Sequence, residues 1–315
     1  MKNYKYKYIF GPVPSRRLGL SLGIDLLGEK ICSMDCIYCE VGRTAKFTMD
    51  RAEYVPADEV LEEFRKYLKN YKSEKLNFIT FSGMGEPTLN NKLGYLIDKI
   101  HEMTDIPVCV LTNSTTIIYE DVFNDLLKAD VVIPSLDAVS EKIVSKLNKP
   151  KECINFDNII QRLSEFKKIF KGKMFIEILF VKGENDKDEE LALLNEAVKI
   201  INPDGLQIHT VERPSLSGKV EPVDDVFLNK ARASFCINSS EIKVFSQINK
   251  SNSKTDDELI ISLLKIRSCH FDEIVKSTGM SKEKLIKLLK NLDSSGRIIK
   301  FNFANETYYK IITKN

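Results

Sequence analysis

Cys32, Cys36 and Cys39 fall within eight positions of Lys30-Ile-Cys-Ser-Met-Asp-Cys-Ile-Tyr-Cys-Glu40, while the other four of the chain's seven cysteines are dispersed. Thiolates are soft ligands suited to zinc or to iron–sulfur clusters. A closed structural zinc site takes four protein ligands, and no His or fourth Cys follows nearby. Three thiolates instead leave one corner of a cubane iron–sulfur cluster without a protein ligand. Ordinary ferredoxin clusters use four Cys; a corner left open can bind a small molecule. The plainer alternatives are three buried thiols or a zinc site short of one ligand.

A second motif lies downstream. Leu76-Asn-Phe-Ile-Thr-Phe81 reads as a short buried strand and runs into Ser82-Gly-Met-Gly-Glu-Pro-Thr88. The glycines permit a tight turn and close backbone approach to a ligand, but their spacing does not fit a dinucleotide fingerprint. The alternative is a simple glycine turn closed by Pro87.

The Cys-x3-Cys-x2-Cys spacing, with Tyr38 before the last Cys, resembles the radical S-adenosylmethionine (SAM) superfamily. That resemblance implies one [4Fe-4S] cluster held by Cys32, Cys36 and Cys39, with SAM chelated on the open iron. It further implies reductive cleavage of SAM and abstraction of a substrate hydrogen, with an external one-electron donor such as flavodoxin or ferredoxin. Gly83, Gly85 and Glu86 match the superfamily's Gly-Gly-Glu region, which binds the methionyl amino group; Met84 stands where the middle glycine would be. Tyr38 belongs to the same cofactor-binding set. Gly11 to Gly42, Ser82 to Leu89, Ser135-Leu-Asp-Ala138, Lys182-Gly-Glu-Asn185 and Val211-Glu-Arg-Pro214 are most similar to the group containing the tRNA wyosine synthases. Archaeal members of that group carry additional upstream cysteines, and this chain has none before Cys32. The resemblance therefore implies an enzyme class, with a tRNA base as the first substrate reading and a peptide or a small metabolite as the alternatives. A non-catalytic redox sensor that binds nucleic acid is the alternative outside enzymology.

Positioning these groups calls for repeated strand–helix units. Ser21 to Asp25 reads as the first strand before the cysteine loop. Ala57 to Tyr71 reads as a helix, with Val60, Leu61, Phe64 and Leu68 at helical spacing and Asp58 and Glu59 near its positive end. Strands are expected at 76–81, 107–113, 130–137, 174–181 and 205–211. Helices are expected near 93–101, 119–128, 156–170 and 188–201. Such alternation implies parallel strands with helical crossovers, either a doubly wound sheet or, as the resemblance favours, a partial (β/α)6 TIM barrel of radical SAM type.

Functional groups then belong at the strands' C-terminal ends. Asn113, Ser135, Asp137 and Asn185 are expected at the cofactor, with a local capping role as the alternative for the first three. Lys182, His209 and Arg213 are candidate substrate contacts, with Arg213 offering a planar fork to a carboxylate or phosphate or a structural salt bridge. Glu177 is placed to face the barrel interior. Arg16 and Arg17, in the turn-rich Gly11 to Gly19 stretch, form a candidate anion approach or an ordinary surface loop. No catalytic acid or base stands out.

After a helix at 224–235, Gln247 to Asp257 is polar and reads as a linker. The expected division is 1–235 for the barrel, 236–256 for a linker region and 257–315 for a small module. In that module helices at 271–278 and 281–292 precede strands at 298–301 and 307–312, which is similar to a winged helix-turn-helix. Lys282, Lys284, Lys287 and Lys290 lie on or beside its second helix, the one that such domains can place in a nucleic-acid groove. Base-reading Arg, Asn and Gln are sparse there, so the module is expected to bind tRNA, dock a peptide or partner, or cover the barrel.

Composition agrees with a folded enzyme. The 315 residues are 43% hydrophobic and 29% charged with a formal charge of +2, which excludes collagen and global disorder and demands no polyanion. The Lys/Tyr alternation of residues 1–10 lacks an apolar signal core and reads as an edge strand with outward lysines. No uncharged apolar run reaches membrane length, so a cytoplasmic, non-membrane protein is expected, in which the cysteines are ligands or buried thiols.

Overall fold

A computed structural model describes residues 6–15, 18–70, 76–152, 154–213, 215, 220–235, 260–261, 263–264, 268–278, 280–303 and 306–312. Arg16, Arg17, Cys153, Pro214, Cys236 and the expected linker lie outside them.

A seven-stranded sheet in the order β1-β2-β5-β6-β7-β8-β9 carries the structure. Its members are β1 (Ile9–Ser15), β2 (Gly19–Ile24), β5 (Phe78–Phe81), β6 (Val108–Thr112), β7 (Val131–Pro134), β8 (Lys173–Phe180) and β9 (Gly205–Thr210). From β2 to β9 every pairing is parallel, and β1 alone runs antiparallel. Two-residue strands β3 (Ile31–Cys32) and β4 (Lys46–Phe47) pair across the cysteine loop. Intervening helices are α1 (Ala57–Asn70), α2 (Leu93–His101), α3 (Glu120–Leu126), α4 (Glu141–Leu147), α5 (Phe156–Ile169) and α6 (Asp188–Ile201), with α7 (Asp225–Ser234) after β9.

The apolar stripes of these helices pack on one face of the sheet. Val60, Leu61 and Phe64 of α1, Ile97 of α2 and Leu163 and Phe166 of α5 share a core with Leu22, Ile24, Ile79, Val110, Val132, Ile176, Ile178 and Ile208. Alternation along each strand sends the intervening residues to the other face. There Leu18, Cys109, Val131, Ile133 and Phe175 form a separate small cluster. Among the described residues, helix side chains join the first cluster, and the second holds residues of the sheet and Leu18.

Local chemistry accounts for the boundaries. α5 begins where the Asn155 side chain accepts from Asn158 N, and α6 ends on Asn202 in the left-handed region (φ 51°) before Pro203. β1 differs from expectation. Its glycine and prolines suggest a turn, yet they lie in a strand because β1 is the sheet's edge, where a missing N–H breaks no second ladder. Of the described residues of the Lys/Tyr stretch, 6–10, Ile9 and Phe10 are strand. Tyr6 and Tyr8 turn inward instead, and the Glu63 carboxylate accepts from the backbone N–H groups of Lys7, Tyr8 and Ile9 at 2.8 Å each.

The carboxyl-terminal residues form α8 (Phe271–Thr278), α9 (Lys282–Ser294) and a three-stranded sheet in the order β10-β12-β11, from β10 (Cys269–His270), β11 (Ile298–Phe303) and β12 (Glu306–Ile311). Ser281 caps α9 by accepting from Lys284 N. Ile260, Ile274, Leu285, Leu289 and Ile298 build its own core. Two helices followed by a β-hairpin are consistent with a winged-helix-like extension.

Candidate functional site

The cysteines leave β3 on a loop that is pinned at both ends. Lys30, almost fully buried, donates to Gly42 O and lies 3.6 Å from Asp35, whose carboxylate accepts from Thr44 N. Asp35 N and Ile37 N donate to the backbone at the end of α4, so that helix, which sequence periodicity did not reveal, supports the loop's far side.

Each of two sulfurs meets a side-chain amide. Asn113 Nδ2 lies 3.5 Å from Cys32 Sγ and 2.9 Å from Ser33 Oγ. Asn148 Nδ2 lies 3.6 Å from Cys36 Sγ and 3.0 Å from Asp137 Oδ2. All three thiols are half-buried. Burial, reinforced by Glu86, pushes the Cys32 thiol up to about 12, and burial with the neighbouring cysteines pushes Cys36 up as well.

Among the described residues no three His, Cys, Asp or Glu side chains converge as ligands of one metal ion. A cubane asks for a different arrangement, because each thiolate binds its own iron at a separate corner. Three partly buried cysteines on one braced loop, two of them facing amide donors, fit that demand. Hydrogen bonds to cluster sulfurs are among the features that set such a cluster's potential.

The Ser82–Thr88 turn packs directly beneath the loop. A Cβ on Gly85 would lie 1.8 Å from Ile31 O, and one on Gly83 (φ +130°) would lie 2.9 Å from Asp25 Cβ. Both positions therefore require glycine. Asp25, at the end of β2, accepts from Leu27 N, Gly28 N and Met84 N and so ties turn to sheet. Burial outweighs these bonds and raises its carboxyl.

Glu86 is 2% exposed. Its Oε1 accepts from Thr88 N, Thr88 Oγ1 and Thr112 Oγ1, and its Oε2 from Asn113 N at 2.6 Å. In this state the carboxylate joins the turn to β6 and orients Asn113 toward Cys32.

The expected strand-end residues divide into two groups. Tyr38 donates to Asp137, whose other oxygen accepts from Leu179 N at 2.9 Å; burial raises the Asp137 carboxyl to about 6 against these bonds. Ser135 lies half-buried beside Glu177. Asn185 is fully buried, and its amide is engaged by Asp137 O, Leu179 O and Val181 N, so it braces Asp137 from behind.

Lys182 is solvent-exposed, 3.3 Å from Glu221. Arg213, expected at a substrate, lies between Glu40 (3.1 Å) and Glu273 of α8 (2.5 Å) with its side chain 12% exposed, so its fork is engaged by the protein itself.

Across β8 and β9, Glu177 neighbours Gln207 and Leu179 neighbours His209 in strand register. Gln207 is 6% exposed, and neither amide atom has a hydrogen-bond partner among the described residues. Its polarity between Leu206 and Ile208 was the signal available in sequence. Asn148 gave no such signal, since Cys36 and Tyr38 are distant in the chain, and neither did the bond from Met84 N to Asp25.

The chain matches the family described as Radical SAM superfamily over residues 30–194, just over half its length and including all three loop cysteines. It is 38% identical, over 93% of its length, to a Brachyspira hyodysenteriae protein named GTPase Obg, of which it spans 44%. It contains no Gly-x4-Gly-Lys-Ser/Thr phosphate loop. It is 30% identical to the UPF0026 protein MJ1312 of Methanocaldococcus jannaschii, over 95% of this chain and 94% of that one. Among solved structures, Streptococcus suis SuiB bound to precursor peptide SuiA superposes with a TM-score of 0.52 at 17% identity, covering 67% of this chain and 45% of SuiB. A radical SAM methyltransferase from Sphaerobacter thermophilus gives 0.51 at 16% identity, covering 68% and 62%. These two likenesses concern the fold.

Proposed function

Because the chain belongs to the radical SAM superfamily, we propose that it is an enzyme whose Cys32, Cys36 and Cys39 hold one [4Fe-4S] cluster and whose sheet forms a partial (β/α)6 barrel around the substrate. The braced three-cysteine loop, with Asn113 and Asn148 aimed at two of its sulfurs, is the observation that carries this reading. When bound, the cluster and SAM supply reductive cleavage of the sulfonium and abstraction of a hydrogen atom from substrate, in the manner of a cofactor that brings its own chemistry.

The chain's own residues position and shield. Gly83 and Gly85 let the turn approach the cluster loop, and Glu86 is the carboxylate that would hold the methionyl amino group of SAM. Tyr38, Asp137 and Asn148 hold the loop against β7 and α4. Ser135, Glu177, Gln207 and His209 present the polar inner face on which a substrate rests, while an external one-electron carrier such as flavodoxin or ferredoxin supplies the electron.

As to substrate, we favour a peptide or small metabolite over a tRNA base. α9 offers Lys282, Lys284, Lys287 and Lys290 to solvent, but Asn291 is its single side chain of the base-reading type. We also propose residues 1–235 as the barrel, 236–256 as a linker and 257–315 as the winged-helix-like module.

Anaerobic reconstitution with iron and sulfide, followed by dithionite and SAM, tests the activity. 5'-Deoxyadenosine must accumulate in wild type and not in Cys36→Ala; its absence from well-loaded wild-type protein contradicts the proposal.

A further inference from the structure

The carboxyl-terminal module touches both ends of the seven-stranded sheet. α8 packs against β1, the first strand in sheet order. Tyr308 of β12 donates to Glu212 O at 2.8 Å, just beyond β9, the last strand. Phe303 of β11 packs on the main core. The module thus bridges the edges that an open sheet leaves apart.

Its contacts also converge on the cysteine loop. Tyr308 and Lys310 are two residues apart on β12 and so share one face. Lys310 Nζ donates to Glu40 O at 3.3 Å, one residue past Cys39. Arg213 grips Glu40 with one nitrogen and Glu273 of α8 with another. Arg213 (12% exposed) and Glu273 (14%) are largely desolvated while Glu40 is a third exposed, and removing the cation leaves two carboxylates facing each other. None of these contacts uses the exposed lysines of α9.

We propose that the carboxyl-terminal wing is part of the cluster site, clamped over the Cys39–Glu40 turn by Arg213 and Lys310 as positioning residues and closing the open side of the sheet. The clamp is geometric and holds in metal-free protein; its importance to a cluster rests on the function proposed above. Substrate and electron donor then reach the site from the strands' C-terminal ends rather than between β1 and β9.

The full chain, reduced, metal-free and anaerobic, is treated with N-ethylmaleimide, and labelling of each cysteine is followed by peptide mass spectrometry. Arg213→Met is expected to speed labelling of Cys39 about tenfold and Lys310→Met several-fold, with fully buried Cys109 unchanged. Lys310→Met removes a single half-buried ammonium, so it keeps the test open if Arg213→Met fails to fold. In reconstituted protein the same variants are expected to lose iron faster to bathophenanthroline. Wild-type Cys39 rates in the folded variants overturn the clamp. Wild-type protein that takes up no iron overturns the cluster reading, and the labelling comparison still decides the clamp.

Discussion

Gly85→Ala probes the contact between the glycine turn and the cysteine loop. The new Cβ would start 1.8 Å from Ile31 O, 2.7 Å from Ile31 C and 2.8 Å from Leu27 Cδ1. Relief requires the turn and β3 to separate until the first distance reaches ordinary contact near 3.4 Å, a movement of about 1.6 Å. Two of the three obstacles are backbone, so a rotamer change does not suffice. The 3.0 Å bond from Glu86 N to Ile31 O would be lost in that movement, at a cost of about 1 kcal/mol. Overpacking adds about 1–3 kcal/mol. A total of about 2–4 kcal/mol corresponds to roughly 4–16 °C in Tm for a domain of this size.

Gly183→Ala is the control, since its φ of +77° is also unfavourable but nothing lies within 4 Å of its Cβ; it should cost about 1–2 kcal/mol of backbone strain. Thermal unfolding by circular dichroism, with iron content after reconstitution, reads both variants. Gly85→Ala should melt well below Gly183→Ala and take up less iron. Equal melting temperatures and equal iron would refute the claim that this turn sets the loop's position.

Acid should expose the role of Asp204. Burial alone would raise its carboxyl, but Lys167 at 2.7 Å, the Met174 N–H and Lys173 outweigh it and hold it below the ordinary value. Its stabilisation is therefore full above the unfolded carboxylate pKa of about 4 and is lost as pH falls through the lower folded value. The melting-temperature gap between wild type and Asp204→Asn should be wide at neutral pH and shrink in that acid window; a gap constant with pH counts against the ion cluster. Gln207→Leu removes two buried polar atoms that have no partner among the described residues and should raise stability by on the order of 1 kcal/mol. A lower melting temperature would mean that the amide is satisfied in the folded protein.

Most of the architecture is legible in the amino-acid order because its apolar periodicity is local. α2, α6 and α8 occupy the residues that their spacing predicts, and the six parallel strands fall within a few residues of expectation. β1 was obscured because Gly11, Pro12 and Pro14 carry turn chemistry that only an edge position tolerates. α4 was missed because seven residues with Val144 and Leu147 buried give too short a periodic signal. At the site, cysteine spacing and the glycine–glutamate turn announce themselves locally. The Asn148 contact to Cys36, separated by 112 residues, and the engagement of Arg213 by Glu40 and Glu273 arise only when distant segments meet. Arg213 shows the limit most clearly: an arginine just after a parallel strand suits a substrate anion, and only tertiary structure shows two carboxylates of the same chain already there.

Electron paramagnetic resonance of anaerobically reconstituted, dithionite-reduced protein, with and without SAM, addresses the central claim most directly. The account predicts a reduced [4Fe-4S] signal that shifts when SAM is added and is lost in Cys36→Ala. A well-loaded cluster whose signal ignores SAM, or one that survives Cys36→Ala intact, would contradict it.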